Sequence, residues 1–113
     1  MERKRLSAQE RIRIWNKLPG HCAYCGCEIK FKEMQADHVV PLYRGGKDEI
    51  DNLLPACRSC NHYKSTMTVE EFREQISKWH ERLMRDDLTY KNAVRFGQVI
   101  PKPHRPVFYF EEH

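Results

Sequence analysis

Two Cys-x-x-Cys pairs are the residues in this chain whose type and spacing most clearly indicate chemistry. Cys22 and Cys25 form the first pair, Cys57 and Cys60 form the second, and about 30 residues separate them. Thiolates two residues apart on a tight turn are typical zinc ligands, and Gly26 lets the backbone fold around the first pair. Four such ligands fit a closed tetrahedral site. We therefore predict a structural zinc ion held by four cysteines, with no open position for a substrate.

A fifth cysteine, Cys27, lies too close to Cys25 to add a good ligand, and we interpret it as a free or partly buried thiol. Paired Cys-x-x-Cys motifs indicate zinc rather than disulfides in a reducing compartment, so we expect an intracellular protein. No apolar run approaches the roughly 20 residues that span a bilayer. The N-terminal residues M-E-R-K-R-L-S are basic, but no apolar segment follows them, so we do not expect a secretory signal.

A second group of polar residues is not needed by a zinc module. It consists of Asp37, His38, Asn52, Asn61, His62 and Lys64. Asp37 and His38 are neighbours at the end of a predicted strand, so one side chain can hold a cation while the other faces a substrate. The carboxylate of Asp37 and the amide oxygen of Asn61 suit Mg²⁺, which keeps much of its water and accepts substrate phosphate oxygens.

The order of these residues resembles the zinc-knuckle-bearing branch of the HNH nuclease family. The pattern C-x-x-C-G … D-H-V-V-P-L-x-x-G-G-x-x-x-x-x-N-L-x-x-x-C-x-x-C-N-x-x-K covers roughly His21 to Lys64. The resemblance implies an α+β fold, the ββα-metal finger, in which two antiparallel strands precede a helix and an ion lies between them. It also implies a metal-dependent endonuclease that hydrolyses DNA phosphodiester bonds and leaves 5′-phosphate and 3′-hydroxyl ends.

The resemblance assigns a role to each matching residue. His38 matches the general base that activates water, and Asn52 matches the residue that braces the loop and orients that base. Asp37 and Asn61 match the ligands of a catalytic Mg²⁺ or other divalent cation. His62 is the alternative ligand if the helix begins one residue differently.

Cations near the motif are candidates for contacts with substrate phosphates. They are Lys64 and Arg58, with Arg44 and Lys47 on the glycine-rich loop. The formal net charge of +4 is mild, so nucleic-acid binding would depend on such local clusters rather than on overall charge.

Helices and strands must position this site. Ser7 and Glu10 form a capping-box pattern ahead of a predicted helix from about Ala8 to Lys17, whose apolar stripe is Ile12, Trp15 and Leu18, with Ile14 outside it. We predict strands over residues 36–40 and 51–56, and a helix that begins near Cys60.

A longer amphipathic helix is predicted from about Val69 to Arg85. Its apolar stripe, spaced by three and four, is Val69, Phe72, Ile76, Trp79 and Leu83. We expect this stripe to form the main apolar layer over the zinc-linked centre.

The length of 113 residues favours one domain over 1–113. Its parts are a basic arm (1–6), a helix plus ββα core (7–66), a C-terminal helical region (67–95) and a tail (96–113). We expect an extended tail or edge strand on the domain, the alternative being a docking segment for a partner.

Two other functions compete with the nuclease. The chain could be a non-catalytic zinc module that binds nucleic acid or a protein, and a divalent-ion requirement for strand scission would separate the two. A thiol protein built around Cys27 lacks a thiol-activating motif. The expected partner is DNA and not a membrane, and a larger complex or homodimer is compatible with the resemblance.

Overall fold

Two short antiparallel strands followed by a helix form the centre of the α+β fold, as the sequence predicts. The computed structural model describes residues 5–113, so most of the predicted basic arm lies outside the described residues. The elements are α1 (Ala8–Trp15), β1 (Gln35–His38), β2 (Leu53–Ala56), α2 (Arg58–Lys64), α3 (Val69–Ser77), α4 (Trp79–Asp86), α5 (Leu88–Arg95) and α6 (Tyr109–Glu112). No helix of the described chain is both long and apolar enough to cross a membrane.

The β1–β2 ladder is shorter than predicted. It pairs Gln35 with Ala56 and His38 with Leu53, and the amide of Val39 adds one more bond to the carbonyl of Asn52 (2.9 Å). Beyond that point Leu42–Arg44 and Ile50–Asn52 each form a 3-10 turn. The ladder ends there because Pro41 has no amide proton to donate to it.

Helix α1 begins as predicted but buries a different face. The capping box is present, since Ser7 Oγ accepts from the Glu10 amide (3.1 Å) and Glu10 Oε1 accepts from the Ser7 amide (2.9 Å). Ile14 is fully buried, whereas Ile12 is 47% exposed, so the predicted stripe was wrong at these two positions. Ile14 and Leu18 are four residues apart and share the buried face, and this spacing excludes Ile12.

The buried cluster around Ile14 is formed with Met34, Ala36 and Leu53. Partly buried apolar side chains pack against it, namely Leu6, Trp15, Ile29 and Ile50. The cluster joins α1 to both strands and therefore supports the strand ends at which Asp37 and His38 lie.

Helix α2 begins at Arg58, two residues earlier than predicted. Cys57 is its N-cap, and its sulfur accepts a hydrogen bond from the Cys60 amide (3.4 Å). Because the helix starts earlier, Asn61 and Lys64 fall on its middle and last turns.

The described chain divides into two compact units, one formed by residues up to Val69 together with Val107–His113, the other by Glu70–Pro106. The single helix predicted from Val69 to Arg85 was wrong, because α3 and α4 are separate. At the break, the Lys78 amide bonds to the carbonyl of Gln75 (3.1 Å), which is a tighter turn than an α-helix allows. Only Phe72 of the predicted stripe is buried; Ile76, Trp79 and Leu83 are half-buried.

The end of the tail forms α6 rather than a strand. Within the first unit, the amides of Tyr109 and Phe110 donate to the carbonyls of Tyr24 (3.1 Å) and Ala23 (2.8 Å). Phe108 is buried and packs edge-on against Tyr24, with ring centroids 5.2 Å apart. The tail end is thus attached to the Cys22–Cys25 turn.

Candidate active site and metal centre

The four predicted zinc ligands come together at the junction of the Cys22–Cys25 turn and the start of α2. The sulfur atoms of Cys22, Cys25, Cys57 and Cys60 all lie within 4.8 Å of one another, and we call this group the four-cysteine cluster. A tetrahedral zinc site with Zn–S bonds of about 2.3 Å has sulfur atoms about 3.8 Å apart. The Cys25 and Cys57 sulfurs are separated by 3.9 Å, so this cluster could hold a zinc ion.

The electrostatics of the cluster favour a thiolate before any ion is considered. A hydrogen bond from Cys60 lowers the pKa of Cys22 to about 4, and backbone amides act in the same direction against burial. The same hydrogen bond raises the pKa of Cys60. Since the thiolate is the form that binds metals, Cys22 is prepared for coordination.

Cys27 stands outside this cluster, as predicted. Its side chain is exposed, and desolvation with contacts to Cys25 and Cys57 raises the pKa of Cys27 to about 12. A thiol with such a pKa is a poor nucleophile at neutral pH, which argues against a thiol protein built around it.

A cavity of about 370 Å³ lies at the end of β1 and beside α2. Four of the residues predicted for the site line it: Asp37, His38, Asn61 and His62. The strand brings the first two there and the helix brings the other two. Both alternatives for the helical ligand therefore border the same space; Asn61 is half-buried and His62 is exposed.

Asp37 is 4% exposed and is held through one carboxylate oxygen. Its Oδ2 accepts a hydrogen bond from the Tyr24 hydroxyl (2.5 Å) and lies 3.1 Å from Nζ of Lys64. Burial raises the pKa of the Asp37 carboxyl, and both of these contacts oppose that rise. Burial and the Asp37 charge raise the pKa of Tyr24, so the hydroxyl stays a donor.

The prediction that Lys64 grips a substrate phosphate was wrong. Its side chain has no exposed surface, and Nζ also donates to the carbonyl of His38 (2.9 Å). An ammonium that is buried against a carboxylate cannot reach a phosphate. Lys64 follows Asn61 by three residues and so shares its face of α2, and this face packs against the end of β1.

His38 has a partner that the sequence analysis missed. Its Nε2 lies 2.8 Å from Oδ1 of Asp48, and the two side chains are 10% and 19% exposed. A carboxylate can only accept here, so Nε2 carries the proton and Nδ1 is the basic nitrogen of the neutral ring. Asp48 lies two residues after Gly46, in the loop that follows His38. This position is the sequence feature that could have indicated the contact between Asp48 and His38.

Asn52 joins the two ends of the loop that carries Asp48. Its Oδ1 accepts from the Val40 amide (2.9 Å), and its Nδ2 donates to the carbonyls of Val40 and Lys47 (2.8 Å each). Gly46 fits beneath these bonds, since a Cβ there would come within 1.8 Å of the Val40 oxygen. These are the contacts that a bracing residue needs.

The predicted cations are not gathered at the cavity. Arg58 is exposed and borders a separate hollow beside Cys27 and Glu28. Arg44 and Lys47 are exposed on the loop between the strands. Their roles toward phosphate stay predictions.

The fold is a ββα module, two antiparallel strands followed by a helix, with an attached four-cysteine cluster. A family model described as HNH endonuclease matches residues 22–77. Through these residues the chain belongs to the HNH endonuclease family, which confirms the resemblance drawn from the sequence.

Among the proteins similar to this chain are two relatives and a solved structure. The CRISPR-associated endonuclease Cas9 of Corynebacterium diphtheriae is 41% identical over 44 residues, which are 38% of this chain and 4% of that protein. The "SPbeta prophage-derived putative HNH endonuclease YoqL" of Bacillus subtilis is 35% identical over 65 residues, 50% of this chain and 28% of that protein. The chain thus spans under a third of either relative.

A solved structure agrees on the fold. The crystal structure of the Type II-C Cas9 enzyme from Actinomyces naeslundii superposes with a TM-score of 0.55 at 21% identity, over 86% of this chain and 11% of that one. This similarity extends beyond the ββα core and concerns the fold alone.

Proposed function

We propose that this chain hydrolyses DNA phosphodiester bonds with His38 as the general base and one divalent cation held by Asp37 and Asn61. Membership of the HNH endonuclease family indicates a metal-dependent nuclease. The observation that carries the finer proposal is that Asp37, His38 and Asn61 line one cavity while Asp48 contacts Nε2 of His38. A binding module has no use for a histidine oriented by a carboxylate next to oxygen ligands.

The contact with Asp48 supports base catalysis because it fixes the tautomer of His38. With Nε2–H donated to Asp48, the lone pair of Nδ1 is available to take a proton from water. The imidazolium that results is stabilised by the Asp48 carboxylate at 2.8 Å. The hydroxide then attacks phosphorus opposite the 3′ oxygen, the bond between phosphorus and that oxygen breaks, and the leaving oxygen takes a proton from solvent. The products carry 5′-phosphate and 3′-hydroxyl ends.

Asp37 and Asn61 supply a donor set that fits Mg²⁺, namely one carboxylate and one amide oxygen beside an open cavity. Such an ion, when bound, offsets the negative charge that develops on the phosphate and the leaving oxygen. Asn52 keeps the loop closed so that Asp48 stays on His38. Arg44 and Lys47 are the cations proposed to contact neighbouring phosphates, while Arg58 is a more distant candidate.

The four-cysteine cluster, in this proposal, holds zinc as a structural ion. It joins the turn that carries Tyr24 to the helix that carries Asn61, so it supports the cavity without entering the chemistry. A larger complex or a second copy would be needed to select a target or cut both strands, because one such centre cuts one strand at a time.

The test is conversion of supercoiled plasmid to open circles by the purified chain in Mg²⁺, Mn²⁺ or EDTA. We expect nicking only with an ion, loss of at least about 100-fold in rate for His38→Ala, and near wild-type nicking for His62→Ala, a second histidine on the same cavity. Zinc content and DNA affinity should be unchanged in both variants.

Each other outcome has a distinct meaning. Nicking by His38→Ala at the wild-type rate would remove His38 as the base. Loss of nicking in His62→Ala but not in Asn61→Ala would make His62 the helical ligand. Binding of DNA with no scission in any ion would favour the non-catalytic zinc module.

A further inference from the structure

Tyr24 connects the four-cysteine cluster to the cavity. It lies between Cys22 and Cys25 in the chain, and its amide donates to the Cys22 sulfur (3.4 Å). The residue is 3% exposed, and its hydroxyl donates to Oδ2 of Asp37 (2.5 Å). The backbone of Tyr24 therefore contacts a cysteine of the cluster, and its side chain contacts the carboxylate that lines the cavity.

Lys64 makes the same connection from the other half of the cluster. It ends α2, the helix that Cys57 caps and that contains Cys60. Its Nζ lies 3.1 Å from Oδ2 of Asp37 and 5.8 Å from the centre of the Tyr24 ring. Each of the two segments that carry the cysteines thus also carries a side chain, Tyr24 or Lys64, that contacts Oδ2 of Asp37.

These contacts leave the two oxygens of Asp37 in different situations. Oδ2 receives both the Tyr24 hydroxyl and the Lys64 ammonium. In the described part of the chain, every buried side-chain nitrogen or oxygen has a hydrogen-bond partner. Oδ1 takes part in neither contact, so we infer that it opens onto the cavity that Asp37 lines.

We propose that Tyr24 and Lys64 are positioning residues that fix the plane of the Asp37 carboxylate, so that the four-cysteine cluster sets the affinity of the open site for its divalent cation. This rests on the proposed function, in which Asp37 is a ligand of that cation. The terminal torsion of an aspartate is broad, and two donors on one oxygen lock it. Partners behind a metal ligand commonly change metal affinity about 10- to 100-fold when they are lost.

The test is Mn²⁺ binding by the zinc-loaded chain without DNA. Binding is measured from the decrease in the electron paramagnetic resonance signal of free Mn²⁺. Tyr24→Phe removes only the hydroxyl, and we expect Mn²⁺ to bind about 10-fold or more weakly while zinc content stays at the wild-type level. The matched control is Tyr109→Phe. Tyr109 also packs on the Cys22–Cys25 turn, against His21 and Gly26, but does not contact Asp37.

Wild-type Mn²⁺ affinity in Tyr24→Phe would overturn the inference. Asp37→Asn separates this result from failure of the proposed function. If Asp37→Asn loses Mn²⁺ binding while Tyr24→Phe retains it, only the positioning role falls. If Asp37→Asn also binds like the wild type, the ion does not use Asp37, and the proposed function fails together with the inference.

A measurement on the unmodified chain covers the case in which Tyr24→Phe does not fold. With ¹³C-labelled tyrosine, addition of Mg²⁺ should move the ring resonance of Tyr24 and leave that of Tyr109 in place. A Tyr24 resonance that stays fixed while Mg²⁺ binds would contradict the coupling.

Discussion

The four-cysteine cluster and the Asp37 cavity depend on the same short helix, α2, but arrange their side chains in opposite ways. In the cluster, four sulfurs face one another within 4.8 Å and leave no place for a further group. In the cavity, Asp37 and His38 border the opening and are held by neighbouring side chains, Asp37 by Tyr24 and Lys64 and His38 by Asp48. The first arrangement suits a structural ion and the second suits an ion that must meet a substrate.

A small chain can support an open, polar site when a closed cluster anchors the helix beside it. Helix α2 has seven residues, too few to be stable without tertiary anchors. Its first turn is anchored by cysteines and its last by the buried Lys64–Asp37 pair. Changes in the cluster should therefore affect folding, and changes on the open side of the cavity should affect catalysis alone.

The largest effect should come from opening the cluster. Cys57→Ser removes a zinc ligand and weakens the cap of α2, and zinc binding contributes on the order of 10 kcal/mol in small zinc-dependent modules. We expect loss of zinc and of cooperative unfolding, measured by metal analysis and circular dichroism. Cys27→Ser is the matched control and should keep both; a Cys57→Ser chain that binds zinc and melts like the wild type would refute the ligand set.

The second largest effect should be a loss of folding stability in Lys64→Met, which leaves the Asp37 carboxylate buried without its cation. Breaking a buried pair by removing one partner costs about 3–5 kcal/mol, and here the two side chains are 0% and 4% exposed. Denaturant unfolding measures the change. Lys47→Met, at an exposed position of the loop, should alter stability by no more than about 0.5 kcal/mol; equal losses in the two variants would contradict the burial of Lys64.

A smaller and purely catalytic effect is expected for Asp48→Asn. The variant keeps the size of the side chain but removes the charge that supports the His38 imidazolium, and we expect kcat for nicking to fall about 100-fold, within the range that a positioned base contributes. The melting temperature should change little. Asp51→Asn, at an exposed position of the same loop, serves as the control. An unchanged kcat for Asp48→Asn would mean that the His38–Asp48 contact is not used in the reaction.

The sequence predicted the parts of the site that are fixed by local spacing. The cysteine pairs, the Asp37–His38 strand end, Asn52 and the Asn61 helix each belong to a short motif. The structure brings the cysteines into one cluster and Asp37, His38 and Asn61 to one cavity. The capping box before α1 was equally local.

The features that the sequence did not reveal depend on contacts across the fold. Whether a lysine in C-N-x-x-K points out or in depends on how α2 packs against β1, where Nζ of Lys64 meets Asp37 and the carbonyl of His38. The partner of His38 comes from the tip of a loop ten residues away, a distance at which no periodicity operates. Likewise, Ile14 rather than Ile12 is buried because β1 and β2 cover that face of α1.

The most direct test of two separate metal sites is brief EDTA treatment of the active protein, followed by removal of the chelator and addition of Mg²⁺ alone. A closed four-cysteine site exchanges its ion slowly, and an open oxygen site exchanges freely. We predict that nicking stops in EDTA, that about one zinc per chain remains bound, and that Mg²⁺ without added zinc restores the full rate. Nicking that persists in EDTA, or that returns only with zinc, would contradict the account.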